Sequence, residues 1–267
     1  MHFPRRPSPV SEPGTGAVED LALRFPRTLL ASARRILVLT GAGVSVSAGL
    51  PTFRGAGGIY GEDGNSIPEF QHADALPAQL DDLWRFWGPL RDQVRDATPT
   101  AAHHALAQWQ ARRGAHGATI TLITTNVDDL HERAGGAVHH LHGNLFSSVC
   151  LDADCGGRLD NDVRADGRPT PCPRCGMRCR PDMVLFGEPV DLDALWQAKR
   201  AVRDCEVFLA IGTSSSVYPA SGLVRYARDV GAYSILVNPA HDAGAGFDQH
   251  VALPADVAVP ALLAPLP

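Results

Sequence analysis

Five of the chain's six cysteines fall between Cys150 and Cys179, and only Cys205 stands apart. They read as Cys150-x4-Cys155 and Cys172-x2-Cys175, with 16 residues between the pairs and Cys179 four residues further on. Two such pairs suit a closed tetrahedral Zn²⁺ site tying two knuckles together, and Gly156, Gly157 and Gly176 allow the tight turns. Four thiolates leave no open position for water, so this metal would hold structure; Cys179 is the competing ligand. A second group, "VHHLHGN", carries His139, His140 and His142. Alternation along a strand sets His140 and His142 on one face and His139 on the other. Beside Gly143 and Asn144, which read as the strand's end, His142 is a candidate general base, and a solvated or satisfied histidine is the plain alternative. A third group, Thr124, Thr125, Asn126 and Asp128 in "TLITTNVDDLHERAG", crowds the point where a buried strand hands over to a helix. Asn126 or Asp128 could simply cap that helix.

The fourth group, "GAGVSVSAGLPTFRG", follows an apolar run where a dinucleotide fingerprint would sit, but Val46 stands at the third glycine position. Small residues still let backbone approach a pyrophosphate at a helix N-terminus. A tight turn explains the glycines, yet not Phe53 and Arg54 in the same loop.

These groups hang on a repeating pattern. "RILVLTGAG", "ATITLITTNV", "CEVFLAIGTSSS" and "YSILVNPA" are short apolar runs that each turn polar or small at the end. Helical spacing fills the gaps, in residues 21–35, "HHALAQWQARR" and "GLVRYARDV". Alternation of this kind predicts an α/β fold with an open, doubly wound parallel sheet, whose ligands bind outside the carboxyl ends of the strands. Residues 59–99, with the aromatic-rich "LWRFWGPLRDQV", and residues 143–181, with the cysteines, interrupt the alternation and predict a smaller second lobe.

The chain's 267 residues suit one main domain with insertions, and 45% hydrophobic with 20% charged residues is ordinary globular composition. A net charge of −5 with no basic stripe argues against nucleic acid as a partner. No apolar run approaches the roughly 20 residues that span a bilayer. The first residues, "MHFPRRPSPVSEPGTG", lack the apolar core of an export signal and read as a disordered tail. The expectation is a cytoplasmic protein with no membrane partner, in which clustered thiols mean metal before disulfide.

In order and spacing, "GAGVSVSAGLPTFRGAGG", "TTNVDDLHERAG", "LHGNLF", the cysteine pairs, "RPDMVLFGE", "GTSSSVYPA" and "VNPA" resemble the sirtuin family, bacterial NAD-dependent protein-lysine deacylases among them. The resemblance implies a tail over residues 1–17 and, over residues 18–267, a Rossmann-like core with a helical and zinc-binding lobe. NAD, consumed as a co-substrate, and an acyl-lysine peptide would meet in the cleft between them. Gly41, Ala42, Gly43 and Ser45 would line the dinucleotide, and Thr52, Phe53 and Arg54 would close over it. Thr125, Asn126, Val127 and Asp128 would border the nicotinamide and its ribose. Gly212, Thr213, Ser214, Asn238 and Ala255 would take the phosphate, ribose and adenine end. Val184, Leu185, Phe186, Gly187 and Glu188 would pair with the peptide as an added strand. Zinc would sit on Cys150, Cys155, Cys172 and Cys175.

In the mechanism so implied, the acyl oxygen attacks the anomeric carbon as nicotinamide leaves. His142 then deprotonates a ribose hydroxyl, with Asn126 beside it, and the products are free lysine, nicotinamide and O-acyl-ADP-ribose. Departures from the family pattern are Thr125 for a usual glutamine, Ala48 for serine and Leu185 for a frequent tryptophan. Trp87 and Leu90 stand where a succinyl- and malonyl-removing subgroup has a Tyr-x-x-Arg pair, which implies neutral acyl groups. NAD glycohydrolase or mono-ADP-ribosyltransferase activity in the same cleft is the alternative, and a zinc-stabilised NAD sensor is a third reading.

Overall fold

The computed structural model describes residues 21–55, 57–62, 66–160, 171–213, 220–240 and 246–265. The expected tail and Ser214 lie outside them. Helix α1 (Leu21–Ser32) leads into β1 (Arg35–Thr40). After a loop with short 3-10 turns come α2 (Leu80–Asp96), α3 (Ala101–Ala115), β2 (Thr119–Thr124), α4 (Leu130–Arg133) and β3 (His139–His140). The chain continues through β4 (Gly143–Cys150), β5 (Arg158–Leu159), β6 (Cys179–Met183), α5 (Leu192–Val202), β7 (Val207–Ile211), α6 (Ala220–Asp229), β8 (Tyr233–Val237), β9 (Gln249–Val251) and α7 (Ala255–Leu263).

The four apolar runs are β1, β2, β7 and β8, and they pair in parallel within a six-stranded sheet of order β3-β2-β1-β7-β8-β9. The continuous apolar character of β1 and β7 follows from burial on both faces, while β2 (TITLIT) is buried only over its last three residues. Val38, Leu209 and Ile235 pack against Leu30, Leu106, Trp109 and Leu262 on one side. Leu37, Leu39, Phe208 and Leu236 pack against Ala198 and Leu223 on the other. Truncating one of these fully buried leucines to alanine costs about 2–5 kcal/mol. From β1 the chain winds outward through β2 to β3, then returns to the other side of β1 at β7, so the winding reverses between β1 and β7. That reversal opens a crevice at their carboxyl ends.

The second lobe is a three-stranded antiparallel sheet, β5-β4-β6, joined to α2. Trp84, Trp87 and Leu80 of α2 share one apolar cluster with Leu145, Phe146, Met183 and Leu185, and Leu50 and Val127 reach into it from the core loops. The two interruptions thus build one lobe against the crevice. One expectation needs correction: Gly143 and Asn144 do not end the histidine strand. The parallel strand stops at His140, and Gly143, at φ +77°, opens β4 of the second sheet. His142 therefore sits in the joint between the two sheets. Among the described residues no helix is long and apolar enough to cross a membrane.

Candidate active site

The loop after β1 is welded to the loop after β7. Gly41 N–H donates to Ile211 O at 3.0 Å and Gly43 N–H to Gly212 O at 2.9 Å. A Cβ on Gly41 would meet Gly212 O at 2.8 Å, and one on Gly43 would meet Gly212 Cα at 2.6 Å. Gly212, at φ +60°, presses its own main chain on Gly43. The glycines of "GAG" are thus required by loop-on-loop packing before any ligand arrives.

Next in the chain, Ser45 begins a buried polar chain. Its hydroxyl donates to Asp128 Oδ2 at 2.9 Å and accepts from Asn126 Nδ2 at 3.3 Å. A carboxylate only accepts, so the direction of each bond is fixed, and with it the orientation of the Asn126 amide. Asn126 Oδ1 is left buried with no partner among the described residues. Asn126 and Ser45 are each 1% exposed. Asp128 Oδ1 also accepts Leu130 N–H at 3.2 Å at the start of α4, so it satisfies a helix N-terminal donor just before the N-cap residue Asp129. Burial raises the Asp128 carboxyl above its ordinary value, opposed by the Leu130 N–H, the Ser45 hydroxyl and the charge of His140.

Around this chain, Ala42, Ser45, Phe53, Asn126, Val127 and Asp128 line one pocket, closed by Leu50, Pro51, Ile59, Leu90, Val94 and Leu145. The first six stand among the residues singled out in the sequence; of the others, the motif reasoning missed the lining role. Leu50 and Pro51 lie inside the quoted "GLPTFRG" loop, Leu90 is marked in the sequence only as a position bearing on acyl choice, and nothing in the sequence ties Val94 to the pocket. A largely apolar lining that includes an asparagine with an unpartnered amide oxygen fits a planar, amide-bearing ring such as nicotinamide.

His142 Nδ1 lies 3.1 Å from Thr125 O. A carbonyl only accepts, so Nδ1 carries the proton and Nε2 keeps its lone pair. Burial pushes this imidazole below its ordinary pKa, against the Thr125 bond, which raises it. The result is a neutral base with one free nitrogen. Thr125 spends its own hydroxyl on Thr40 O at 3.2 Å.

Elsewhere the expected residues are held more by each other than by open space. Thr52 Oγ donates to Arg54 O at 2.7 Å, and Arg54 is exposed. Asn238 Nδ2 donates to Thr213 O at 3.0 Å, and its Oδ1 accepts Ala240 N–H at 2.9 Å. Ala255 begins α7 with its methyl in the core. In the second lobe Phe186 N–H donates to Gln71 O and Phe186 O accepts Ala73 N–H, at 2.9 and 3.0 Å. One edge of the segment from Val184 to Glu188 is therefore taken. Leu185 faces the other way, its N–H on Glu188 Oε2 at 2.9 Å, and Arg180 holds Glu188 Oε1 at 2.9 Å. Leu185 O accepts Glu188 N–H at 3.0 Å, so a peptide strand adding on that second edge would have to displace Glu188 from Leu185.

The Sγ atoms of Cys150, Cys155, Cys172 and Cys175 all lie within 4.8 Å of one another. Cys150 to Cys175 is 3.6 Å and Cys155 to Cys172 is 3.8 Å. Tetrahedral Zn–S bonds of about 2.3 Å require S···S edges of about 3.8 Å, so the quartet fits zinc. Cys179 is fully buried in β6 opposite Cys150 and outside the quartet.

A family model for the Sir2 family matches residues 41–219. The chain is 40% identical over 252 residues to an NAD-dependent protein deacylase of Ralstonia nicotianae, covering 93% of this chain and 99% of the relative. Among solved structures it is similar to a Sir2 homolog in complex with NAD, at 31% identity and TM-score 0.79, over 91% of this chain and 93% of that one. It is also similar to a Sir2 protein with a deacetylated p53 peptide and 3'-O-acetyl-ADP-ribose, at 25% identity and TM-score 0.78, over 91% of this chain and 98% of the other.

Proposed function

The chain belongs to the Sir2 family, and from that premise we propose that it is an NAD-dependent protein-lysine deacylase yielding free lysine, nicotinamide and O-acyl-ADP-ribose. The observation that carries this reading is that His142, though not itself in the pocket lining, is held by its Nδ1 on Thr125 O, the residue next to pocket-lining Asn126. His142 offers an unprotonated Nε2, and Asn126 offers a buried Oδ1 without a partner. NAD supplies a glycosidic bond whose cleavage releases nicotinamide and exposes the anomeric carbon to an acyl oxygen.

The chain's own residues divide the remaining work. Asn126 and Asp128, locked through Ser45, bind and orient at the pocket wall. Phe53, Leu50, Ile59, Leu90 and Val94 exclude water from it. His142 removes a proton from a hydroxyl presented to its Nε2, which simple loss of nicotinamide would not require; a base in that position favours deacylation over glycohydrolysis. The acyl-lysine peptide lies along the Leu185 edge. Zinc on Cys150, Cys155, Cys172 and Cys175 holds the second lobe and takes no part in the chemistry.

Mass spectrometry of an acetyl-lysine peptide incubated with and without NAD tests the reading. Deacetylated peptide, nicotinamide and O-acetyl-ADP-ribose should appear together and only with NAD, and His142→Ala should slow them by about 10²–10⁴-fold. Nicotinamide released from NAD with the peptide untouched would instead establish the glycohydrolase.

A further inference from the structure

His140 lies two residues before His142 and has the opposite hydrogen-bond environment. Its Nδ1 is 2.9 Å from Asn126 O, and its Nε2 is 2.7 Å from Glu132 Oε1. Both partners are acceptors with no proton to give, so both ring nitrogens must carry one. A neutral ring could satisfy either partner but not both. His142 has one such acceptor and stays neutral; His140 has two and must be an imidazolium.

We propose that His140 is a positioning residue of the reaction, an imidazolium held by Glu132 that fixes the Asn126 peptide from below the cleft. The proposal rests on the deacylase reading of that cleft. Asn126 N–H is tied to Thr124 Oγ1 at 3.0 Å, its C=O to His140 and its Nδ2 to Ser45. Every polar group of the residue except the buried, unpartnered Oδ1 is thereby held, in a residue that lines the pocket. The His140 charge reaches two further groups. It favours the ionised form of buried Asp128, and it disfavours a proton on buried His131.

Burial works against a charged His140, but the hydrogen bond and charge of Glu132, with help from Asn126 O and Asp128, outweigh it and raise the pKa above the ordinary value. The charged or titratable groups facing it are Glu132 and His131 from α4 and Asp128 from the preceding loop, while His139 and His142 flank it along its own segment, His139 on the opposite face. The buried residues of α5, which packs on β3, are Ala194, Ala198 and Val202. Neighbouring β2 ends in Ile123 and Thr124, so no further charge faces His140 from these elements.

Two limbs of the pH profile follow with opposite signs. Activity falls at low pH as His142, whose pKa is lowered, takes up a proton. It falls at high pH as His140, whose pKa is raised, loses one. Glu132→Gln keeps the shape of a half-exposed side chain and removes the charge that holds the proton on His140.

The test combines nitrogen NMR of the histidine rings with pH profiles of kcat/KM for NAD. In the wild type both His140 nitrogens should be protonated at neutral pH, and the Asn126 side-chain amide signal should follow the His140 titration. In Glu132→Gln that titration and the alkaline limb should move to lower pH together, with the acid limb and the peptide KM unchanged. His140→Ala should lower kcat/KM for NAD by about 10-fold or more, the weight of one charge-assisted hydrogen bond. A neutral His140 at neutral pH in the wild type overturns the proposal, as does an alkaline limb that stays in place while His140 itself shifts. Should the protein deacylate no peptide, the deacylase reading falls, and the Asn126 amide signal still decides whether His140 positions it.

Discussion

Gly43→Ala separates two explanations of the loop after β1. If the glycine serves only the approach of a pyrophosphate, alanine there should spare the fold and weaken NAD use. The packing says otherwise. A methyl at this position would lie 2.6 Å from Gly212 Cα and 2.8 Å from Gly212 O, where carbon atoms rest at about 3.5–4.0 Å. The obstacle is main chain, so no rotamer relieves it, and the ends of β1 and β7 must part by roughly 1 Å. Overpacking of this kind costs about 1–3 kcal/mol, and stretching the 2.9 Å bond from Gly43 N–H to Gly212 O adds about 1 kcal/mol. The expected destabilisation is about 2–4 kcal/mol. Gly49→Ala is the control: Gly49 has φ +85° and nothing within 4 Å of an added methyl, so only the left-handed backbone penalty of about 1–2 kcal/mol applies. Equilibrium urea unfolding at fixed zinc, read at constant slope, measures both variants. A Gly43→Ala midpoint equal to wild type, with a raised KM for NAD, would refute the packing argument.

Three further outcomes are expected. Cys172→Ser should lose one zinc per chain and much stability, whereas Cys179→Ser, whose thiol lies outside the quartet, should keep the metal; metal analysis decides, and zinc retained in the first with loss in the second would move the fourth ligand. Acetyl-lysine or longer neutral acyl peptides should turn over faster than succinyl-lysine peptides, because apolar Leu90 stands at the position of the subgroup's arginine and the neighbouring Arg91 guanidinium is buried against Trp84 and Phe146, at 5.0 and 5.9 Å from their rings; the ratio of kcat/KM for the two peptides tests it, and a faster succinyl peptide refutes it. Thr125→Gln should change NAD-dependent rates by no more than about 1 kcal/mol, the net worth of the one bond to Thr40, while Asn126→Ala, which removes the orphaned amide oxygen at the pocket wall, should be far more damaging; the reverse order would mean a different cleft.

The large strands were legible because their physics is local. β1, β7 and β8 are buried on both faces along nearly all of their length and read as apolar runs, β2 alternates threonine with apolar residues and is buried over its last three, and each ends where the run turns polar or small. The break between His140 and Gly143 was not legible, since alternation continues through "VHHLHGN" and only a left-handed Gly143 shows that the chain has left one sheet for another. The site follows the same division. Residue types and order pointed to Asn126, Asp128 and His142, whereas the pocket's apolar wall needed Leu90 and Val94 of α2 brought across from a distant segment. The two histidines are the clearest case. By residue type and by facing, His140 and His142 are the same, and only its place beside Gly143 and the "LHGNLF" motif marks His142 as the candidate base in the sequence. What distinguishes them is a count of acceptors. One carbonyl leaves His142 a free lone pair, while a carbonyl and a carboxylate leave His140 none. Glu132, which makes that difference, sits in the first turn of the short helix in "LHERAG", where nothing in its spacing connects it to His140, eight residues later. Chemistry at this site is therefore assigned by hydrogen-bond partners that the fold brings together, and the residue types only define the choices.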